Sequence, residues 1–309
     1  MLTALDHIII GVNDLELATT VFNQKLGLTI SGGGIHPSGG TANRIIVIGD
    51  TYLELITVRA PEEAQQSMLE RLAKGDGYLN FALSSNDIEA DTSAMERRDI
   101  KVIGPQPGQL KTPDGHIRGW SRADVERPDL AQRYPFLIQH DSAGEERRSR
   151  LAGWSEPPGH PLGAVKILSA TIAVADLSEA IHRFERIYGL APSPVFSGDA
   201  DAWEAMLATF PLVESGQSFE LAEPLPLSTT ESDLQERLLP EPGALSTHLQ
   251  TFGESLCRVT LAVENLAKSR SFLDEREVTY MYDDQQRPAL WVLPDQACGA
   301  AFVLHEAVA

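Results

Sequence analysis

The 309 residues carry a formal net charge of −19, with 44 acidic side chains against 25 Lys and Arg. That balance repels phosphate backbones and anionic headgroups, which are held through Lys and Arg, so nucleic acid and acidic membrane surfaces are excluded as partners. With 42% hydrophobic and 22% charged residues, the chain is globular and long enough for two domains.

The opening MLTALDHIII has no basic segment, and Asp6 and His7 interrupt its apolar run, so it does not read as a signal peptide. No stretch approaches the roughly 18 apolar residues that a membrane span needs. Cys257 and Cys298 are too few for a disulfide framework and lack zinc-site spacing. A cytoplasmic location and a small-molecule ligand are expected; the oligomeric state stays open.

In chain order, LDHIIIGVNDLELATTVFNQKLGL reads as a strand, a tight connection and a helix. Alternation sets Ile8, Ile10 and Val12 on one strand face and His7, Ile9 and Gly11 on the other. Asp14 is the predicted N-cap, Leu15, Ala18, Phe22 and Leu26 follow at helical spacing, and Gly27 stops the helix. After the loop GGGIHPSGGTAN, the runs RIIVIG and TYLELITV flank the turn at Gly49 and Asp50.

The same pattern returns three times. GYLNFALSSNDIEADTSAMERRDI places Asp87 on Asp14, ILSATIAVADLSEAIHRFERIYGL places Asp176 there, and LCRVTLAVENLAKSRSFLDEREV places Asn265 there. Strands follow each helix: DIKVIG, HIRGWS and PFLIQH in the second unit with a TPDG turn, SFELAEP in the third, LWVLPDQ and GAAFVLHEA in the fourth. The predicted fold is α+β, four βαβββ modules paired into two cupped mixed sheets flanked by helices. Residues 1–140 form an N-terminal domain carrying the site, 141–165 a charged, Gly/Pro-rich linker, and 166–309 a C-terminal domain.

This arrangement resembles the vicinal-oxygen-chelate superfamily. DHIIIGVNDL, GGGIHPSGGTAN, GDTYLELITV, TPDGHIRGW and PFLIQH together resemble the glyoxalase-like proteins over residues 5 to 190. PDQACGAAFVLHE more loosely resembles the C-terminal module of methylmalonyl-CoA epimerase-like proteins. The resemblance implies a cup that often holds a divalent metal, with one ligand from the first and one from the last strand of each module. By position these are His7 and Glu54, then Asn80 and Gln139. Alternation supports this independently, since Leu53 and Leu55 suit the helix-covered face and leave Tyr52, Glu54 and Ile56 in the cup. Leu79, Phe81 and Leu83 pack outward and leave Asn80 inside.

Imidazole and carboxylate are good ligands for a divalent metal and amides weak ones. A metal would stabilise an enolate or enediolate as a Lewis acid; without one, His7 and Glu54 could act as an acid–base pair, or simply bond each other in a filled barrel. His36, Thr41 and Asn43 are candidate substrate contacts at the rim, because the family pattern carries the same His-Pro and Thr-x-Asn elements; as an isolated sequence the segment is an irregular Gly-rich connection. His116, Arg118 and Trp120 share a strand face, where Arg118 and Trp120 could clamp a substrate carboxylate or form an exposed hairpin face. Gln139 is the expected cup residue, with His140 pointing away.

In the C-terminal half the equivalent positions are Ser169, Glu220, Arg258 and Val303, which lack the two histidines and glutamate of a ring-cleaving dioxygenase. His305 lies one residue pair beyond. An Arg258–Glu220 ion pair is expected to fill this cup. His160, His182 and His248 are assigned to the surface, and EERRSR is read as solvated charge. The function expected is lyase or isomerase chemistry on a small oxygenated metabolite, the alternatives being a non-catalytic binder of the bleomycin-resistance type and an extradiol dioxygenase.

Overall fold

A computed structural model describes residues 1–36, 39–111, 115–126, 134–197, 205–225, 244–284 and 287–308. The TPDG turn falls largely outside these residues. The first module runs β1 (Leu2–Gly11), α1 (Leu15–Thr20, continued by a π-helical turn Val21–Lys25), β2 (Gly32–Ile35), β3 (Thr41–Ile48) and β4 (Thr51–Val58). After a short helix α2 (Gln66–Leu72), the second runs β5 (Gly77–Ser85), α3 (Ile88–Arg97), β6 (Val102–Lys111), β7 (Ile117–Val125) and β8 (Phe136–His140). Helix α4 (Gly144–Leu151) links this to the third, β9 (Ala164–Ala173), α5 (Leu177–Tyr188), β10 (Phe196–Ser197), β11 (Ala205–Leu212) and β12 (Gln217–Pro224). Helix α6 (Ala244–Phe252) precedes the fourth, β13 (Ser255–Val263), α7 (Leu266–Asp274), β14 (Tyr280–Asp283), β15 (Ala289–Val292) and β16 (Ala301–Glu306).

The four expected caps are made. Asp14 accepts from the amides of Glu16 and Leu17, Asp87 from Ala90, Asp176 from Glu179 and Asn265 from Lys268. Each cap satisfies an amide that a helix start otherwise leaves unpaired. The strands form two eight-stranded sheets in matching order, β2-β3-β4-β1-β5-β8-β7-β6 and β10-β11-β12-β9-β13-β16-β15-β14. In each, the first strands of two modules pair antiparallel at the centre and each runs parallel to its own module's last strand.

Ile8, Ile10 and Val12 are buried in one core with Phe219, Phe302 and the inner faces of the helices, so the two halves share a hydrophobic interior. Phe81 meets Phe219 at 6.3 Å between ring centroids, and Phe22 meets Phe302 at 6.1 Å. Polar bonds cross as well: Gln217 accepts from the Leu5 amide and donates to Thr51. Leu79 departs from expectation. A register shift between Ile9 and Ile10 passes over it, and Tyr78 takes the core position, its hydroxyl donating to the Ala301 carbonyl at 2.6 Å. Among the described residues, no helix is long and apolar enough to cross a membrane.

Two histidines assigned to the surface are structural. His160 accepts the Thr29 amide at Nδ1 and donates from Nε2 to the Val47 carbonyl, tying the interdomain segment to β3. His248 on α6 bonds the Ser255 hydroxyl at 2.9 Å and tilts against Phe252. Burial, reinforced by Arg71, pulls its pKa down to about 4. The unfolded chain therefore binds this proton more readily, and the stability contributed by neutral His248 is complete above the ordinary value near 6.5 and lost as pH falls toward 4. His248→Gln should flatten the fall in melting temperature across that window; an unchanged profile would show that His248 does not control it.

Candidate functional site

The site begins with a bulge. Pairing of β1 with β5 slips between Leu5 and His7, so Asp6 is an extra residue opposite no partner, and the Asp6 and His7 side chains meet instead of lying on opposite faces. His7 Nδ1 donates to Asp6 Oδ1 at 2.8 Å, which leaves Nε2 directed at Glu54 Oε2, 3.8 Å away. Tyr52 stacks on the His7 ring at 4.6 Å and Phe136 meets its edge at 5.5 Å. The expected juxtaposition of His7 and Glu54 is thus present.

Glu54 is gripped from the other side by the β2–β3 hairpin. The Gly34 amide donates to Asn43 Oδ1 at 2.9 Å, which orients the Asn43 amide so that Nδ2 donates to Glu54 Oε1 at 2.6 Å. The same Nδ2 lies 3.2 Å from His36 Nε2, itself 3.6 Å from Glu54 Oε1, and His36 Nδ1 bonds Thr41 Oγ1 at 2.7 Å. A Cβ on Gly33, at φ +136°, would collide with the Asn43 carbonyl oxygen, so the hairpin closes this tightly only with glycine there. His36, Thr41 and Asn43 therefore converge on the carboxylate. Thr41 and Asn43 are buried and committed to internal bonds, while the His36 side chain keeps 24% exposure.

The second module supplies a different wall from the one expected. Gln139 lies beneath α3, where Oε1 accepts the Ile88 amide at 2.8 Å and Nε2 donates to the Asn86 carbonyl. Phe136, Ile138 and His140 face the cup and Leu137 the core, so the assignment of Gln139 and His140 is corrected to its reverse. Both faces of PFLIQH are apolar, and alternation alone could not choose between them. Register gives the true equivalence. Ile9 pairs with Glu54 in the first module and Ala82 pairs with Phe136 in the second, so Phe136 occupies the place of Glu54. Asn80, the counterpart of His7, donates to the Tyr134 carbonyl at 2.9 Å. Arg118 is buried, and Trp120 packs beside Phe136 and Ile138; His116 instead stacks on Trp154 at 4.7 Å, an exposed position.

His140 and Arg147 complete the cup floor around Asp6. His140 Nε2 donates to Asp6 Oδ1 at 3.2 Å, and Arg147 from α4 sets Nη2 2.8 Å from Asp6 Oδ2. Burial works to raise the Asp6 pKa, but Arg147, His140 and His7 override it and hold the carboxyl well below the ordinary range. His140 is lowered, chiefly by burial. Arg147 also donates to the Asp50 carbonyl and lies over Tyr52 at 5.7 Å, so the run EERRSR is not uniformly solvated and the linker contributes to the site. Asp6 beside His7 was the one visible signal for this cluster. A strand without the bulge would have separated them.

The C-terminal cup repeats the register with other residues. Thr171 pairs with Glu220 and Thr260 with Val303, which makes Ser169, Glu220, Arg258 and Val303 the equivalents of His7, Glu54, Asn80 and Phe136. Arg258 Nη2 lies 3.1 Å from Glu220 Oε2, Thr171 donates to the same oxygen at 2.6 Å, and Trp291 lies under the guanidinium at 5.3 Å. His305 bonds the Pro288 carbonyl. An ion pair fills this cup.

Paired βαβββ modules closing sheets into cups define a protein of the vicinal-oxygen-chelate class. The chain belongs to the family described as the glyoxalase-like domain, whose sequence profile matches residues 5–188. No protein of curated function matches the sequence. Solved structures similar over nearly the whole chain include a hypothetical protein from Staphylococcus aureus at 14% identity and TM-score 0.64, covering 98% of this chain and 99% of that one. A mutant 4-hydroxymandelate synthase from Streptomyces coelicolor is 11% identical at TM-score 0.63, covering 100% of this chain and 94% of that one. The Mn(II)-bound glyoxalase from Novosphingobium aromaticivorans is 12% identical at 0.58, covering 99% and 82%. At these identities the likeness is one of fold.

That fold holds Mn(II) in the Novosphingobium structure. In this chain the four repeated positions are His7, Glu54, Asn80 and Phe136, of which two are ligand-grade, one is an amide engaged elsewhere and one is a hydrocarbon. Among the described residues no three His, Cys, Asp or Glu side chains are grouped to hold a metal ion. The four repeated positions by themselves supply only two ligand-grade groups, His7 and Glu54, and the steps below are derived from the protein's own groups.

Proposed function

We propose that the N-terminal cup performs proton transfer on a small oxygenated metabolite, in the manner of an isomerase or lyase, with Glu54 and His7 as the acid–base pair. The observation that carries this reading is the convergence of two imidazoles on one carboxylate: His7 at 3.8 Å and His36 at 3.6 Å. Asn43 engages Oε1 of Glu54 and leaves Oε2 toward His7. Oε2 takes a proton from a carbon next to a carbonyl, leaving the electron pair as an enolate. The proton passes to His7 Nε2, the imidazolium is stabilised by Asp6 at Nδ1, and return of the proton to carbon completes an isomerisation. Loss of a group beta to that carbon instead makes the reaction a lyase.

A panel of hydroxyacetone, dihydroxyacetone, pyruvate and 2-oxobutyrate in D2O tests this, with loss of the C–H signal followed by NMR and metal content measured on the same sample. Wild-type protein should accelerate exchange, and Glu54→Gln should slow it by about 10²-fold or more, the usual worth of a general base. Undiminished exchange in Glu54→Gln, or no exchange by the wild type, would overturn the reading. Saturable binding without exchange would favour a non-catalytic small-molecule binder, a reading supported by the apolar wall of Phe136, Ile138 and Trp120. Ring cleavage is disfavoured by Ser169, Arg258 and Val303 at the positions that would have to ligate iron.

A further inference from the structure

The N-terminal cup contains a buried cation, Arg118, without a counter-charge among the described residues. Arg118 retains 8% exposure, and its Nε is buried with no hydrogen-bond partner among the described residues. No carboxylate among those residues pairs with it, whereas Arg147 has Asp6 and Arg258 has Glu220. An arginine cannot shed its proton to escape this situation, and an unpaired buried charge costs several kcal/mol unless something compensates it. The nearest aromatic partner, Trp120, lies 6.0 Å from the guanidinium carbon, at the edge of a useful cation–π contact.

Position gives the vacancy of charge a direction. Trp120 pairs with His140 across β7 and β8, and Arg118, two residues earlier, lies on the same face. His140 directs Nε2 to Asp6 and leaves Nδ1 buried, with no hydrogen-bond partner among the described residues. Two orphaned nitrogens thus flank Trp120, the second as a lone pair that accepts a hydrogen bond. The field of Arg118 also reaches Tyr52, the residue stacked on His7, where it opposes the rise in pKa that burial, Asp6 and Glu54 impose. The charge of Arg118 is therefore felt at the residue that stacks on His7.

We propose that the ligand of this cup is a small carboxylic acid whose carboxylate is held by the Arg118 guanidinium against Trp120, with a hydroxyl or other donor group received by His140 Nδ1. This rests on the reading of the cup as the working site and names its substrate class. The planar fork of Arg118 matches two carboxylate oxygens. A substrate held this way brings the counter-charge that the described residues do not supply to Arg118.

Equilibrium binding separates this claim from that of proton transfer, because it requires no turnover. Pyruvate, lactate, malonate and benzoate, with lactamide and benzamide as neutral counterparts, are titrated by ligand-observed NMR into wild type, Arg118→Gln, Arg118→Lys and Glu54→Gln. At least one acid should saturate the wild type while its amide does not, Arg118→Gln should weaken it about tenfold or more, and Arg118→Lys should restore part of the loss. Glu54→Gln should retain binding even where exchange is lost. Melting temperatures decide whether Arg118 is structural. Removal of an uncompensated charge should leave Arg118→Gln as stable as the wild type or more so, and the binding acid should raise the melting temperature of the wild type and of Glu54→Gln but not of Arg118→Gln. The proposal is overturned if no acid saturates the wild type, if acids bind Arg118→Gln equally well, or if Arg118→Gln melts well below the wild type with binding intact. Carboxylate binding without exchange would retain it and reject proton transfer.

Discussion

Asp6→Ala is expected to destabilise the protein by about 3–5 kcal/mol, the usual cost of removing one partner from a buried ionic cluster. The carboxylate is 1% exposed and receives His7, His140 and Arg147. Its loss would leave Arg147 without its counter-charge and both imidazoles without their shared acceptor, while Arg147 keeps only its bonds to the Asp6 and Asp50 backbone carbonyls. Asp6→Asn should cost less, since an amide oxygen still accepts from one imidazole, but it removes the charge that stabilises a protonated His7. The pH dependence follows from the depressed carboxyl pKa. A group ionised more readily in the folded state contributes stability fully above the unfolded value near 3.9, and that contribution is lost as pH falls below it. Urea unfolding at pH 7 and below pH 4 should show the gap between wild type and Asp6→Asn shrinking with acidification. A gap that stays constant would mean that the charge of Asp6 is not what stabilises the cluster.

Arg258→Ala should also unfold the protein more easily, by about 3 kcal/mol, while leaving the N-terminal cup's ligand binding intact. The Arg258 side chain is 3% exposed and Glu220 18%, so solvent offsets part of the loss on the carboxylate side. Contact with Trp291 is lost in addition. Replacing both charges, as Glu220→Met with Arg258→Met, should recover most of the stability, because two hydrocarbons need no pairing. Loss of ligand binding by Arg258→Ala with unchanged unfolding would reverse the assignment of the two halves.

The contrast between the two cups explains how a fourfold repeat yields one site. At the position of His7 and Asn80, the C-terminal half carries Ser169 and Arg258, and the arginine closes internally on Glu220. Such a cup has neutralised itself. The N-terminal cup keeps Glu54 between two imidazoles and keeps Arg118 without an ionic partner among the described residues.

The repeat was legible in the sequence because each module is specified locally. Asp14, Asp87, Asp176 and Asn265 cap helices within three residues of themselves, and strand alternation around Ile8 and Ile10 separates core from cup. His7 and Glu54 could be placed for the same reason, being on strands whose apolar face is unmistakable. Gln139 could not, since Phe136, Leu137 and Ile138 give PFLIQH two apolar faces and only pairing with β5 fixes which looks inward. Asp6 joined the site through a one-residue bulge, whose position depends on how β1 meets β5. Arg147 joined it because α4 packs back on the first sheet, 141 residues along the chain from Asp6. Local capping and periodicity determined the modules; the register between strands and the return of the linker, both set by packing between distant segments, decided which charges meet.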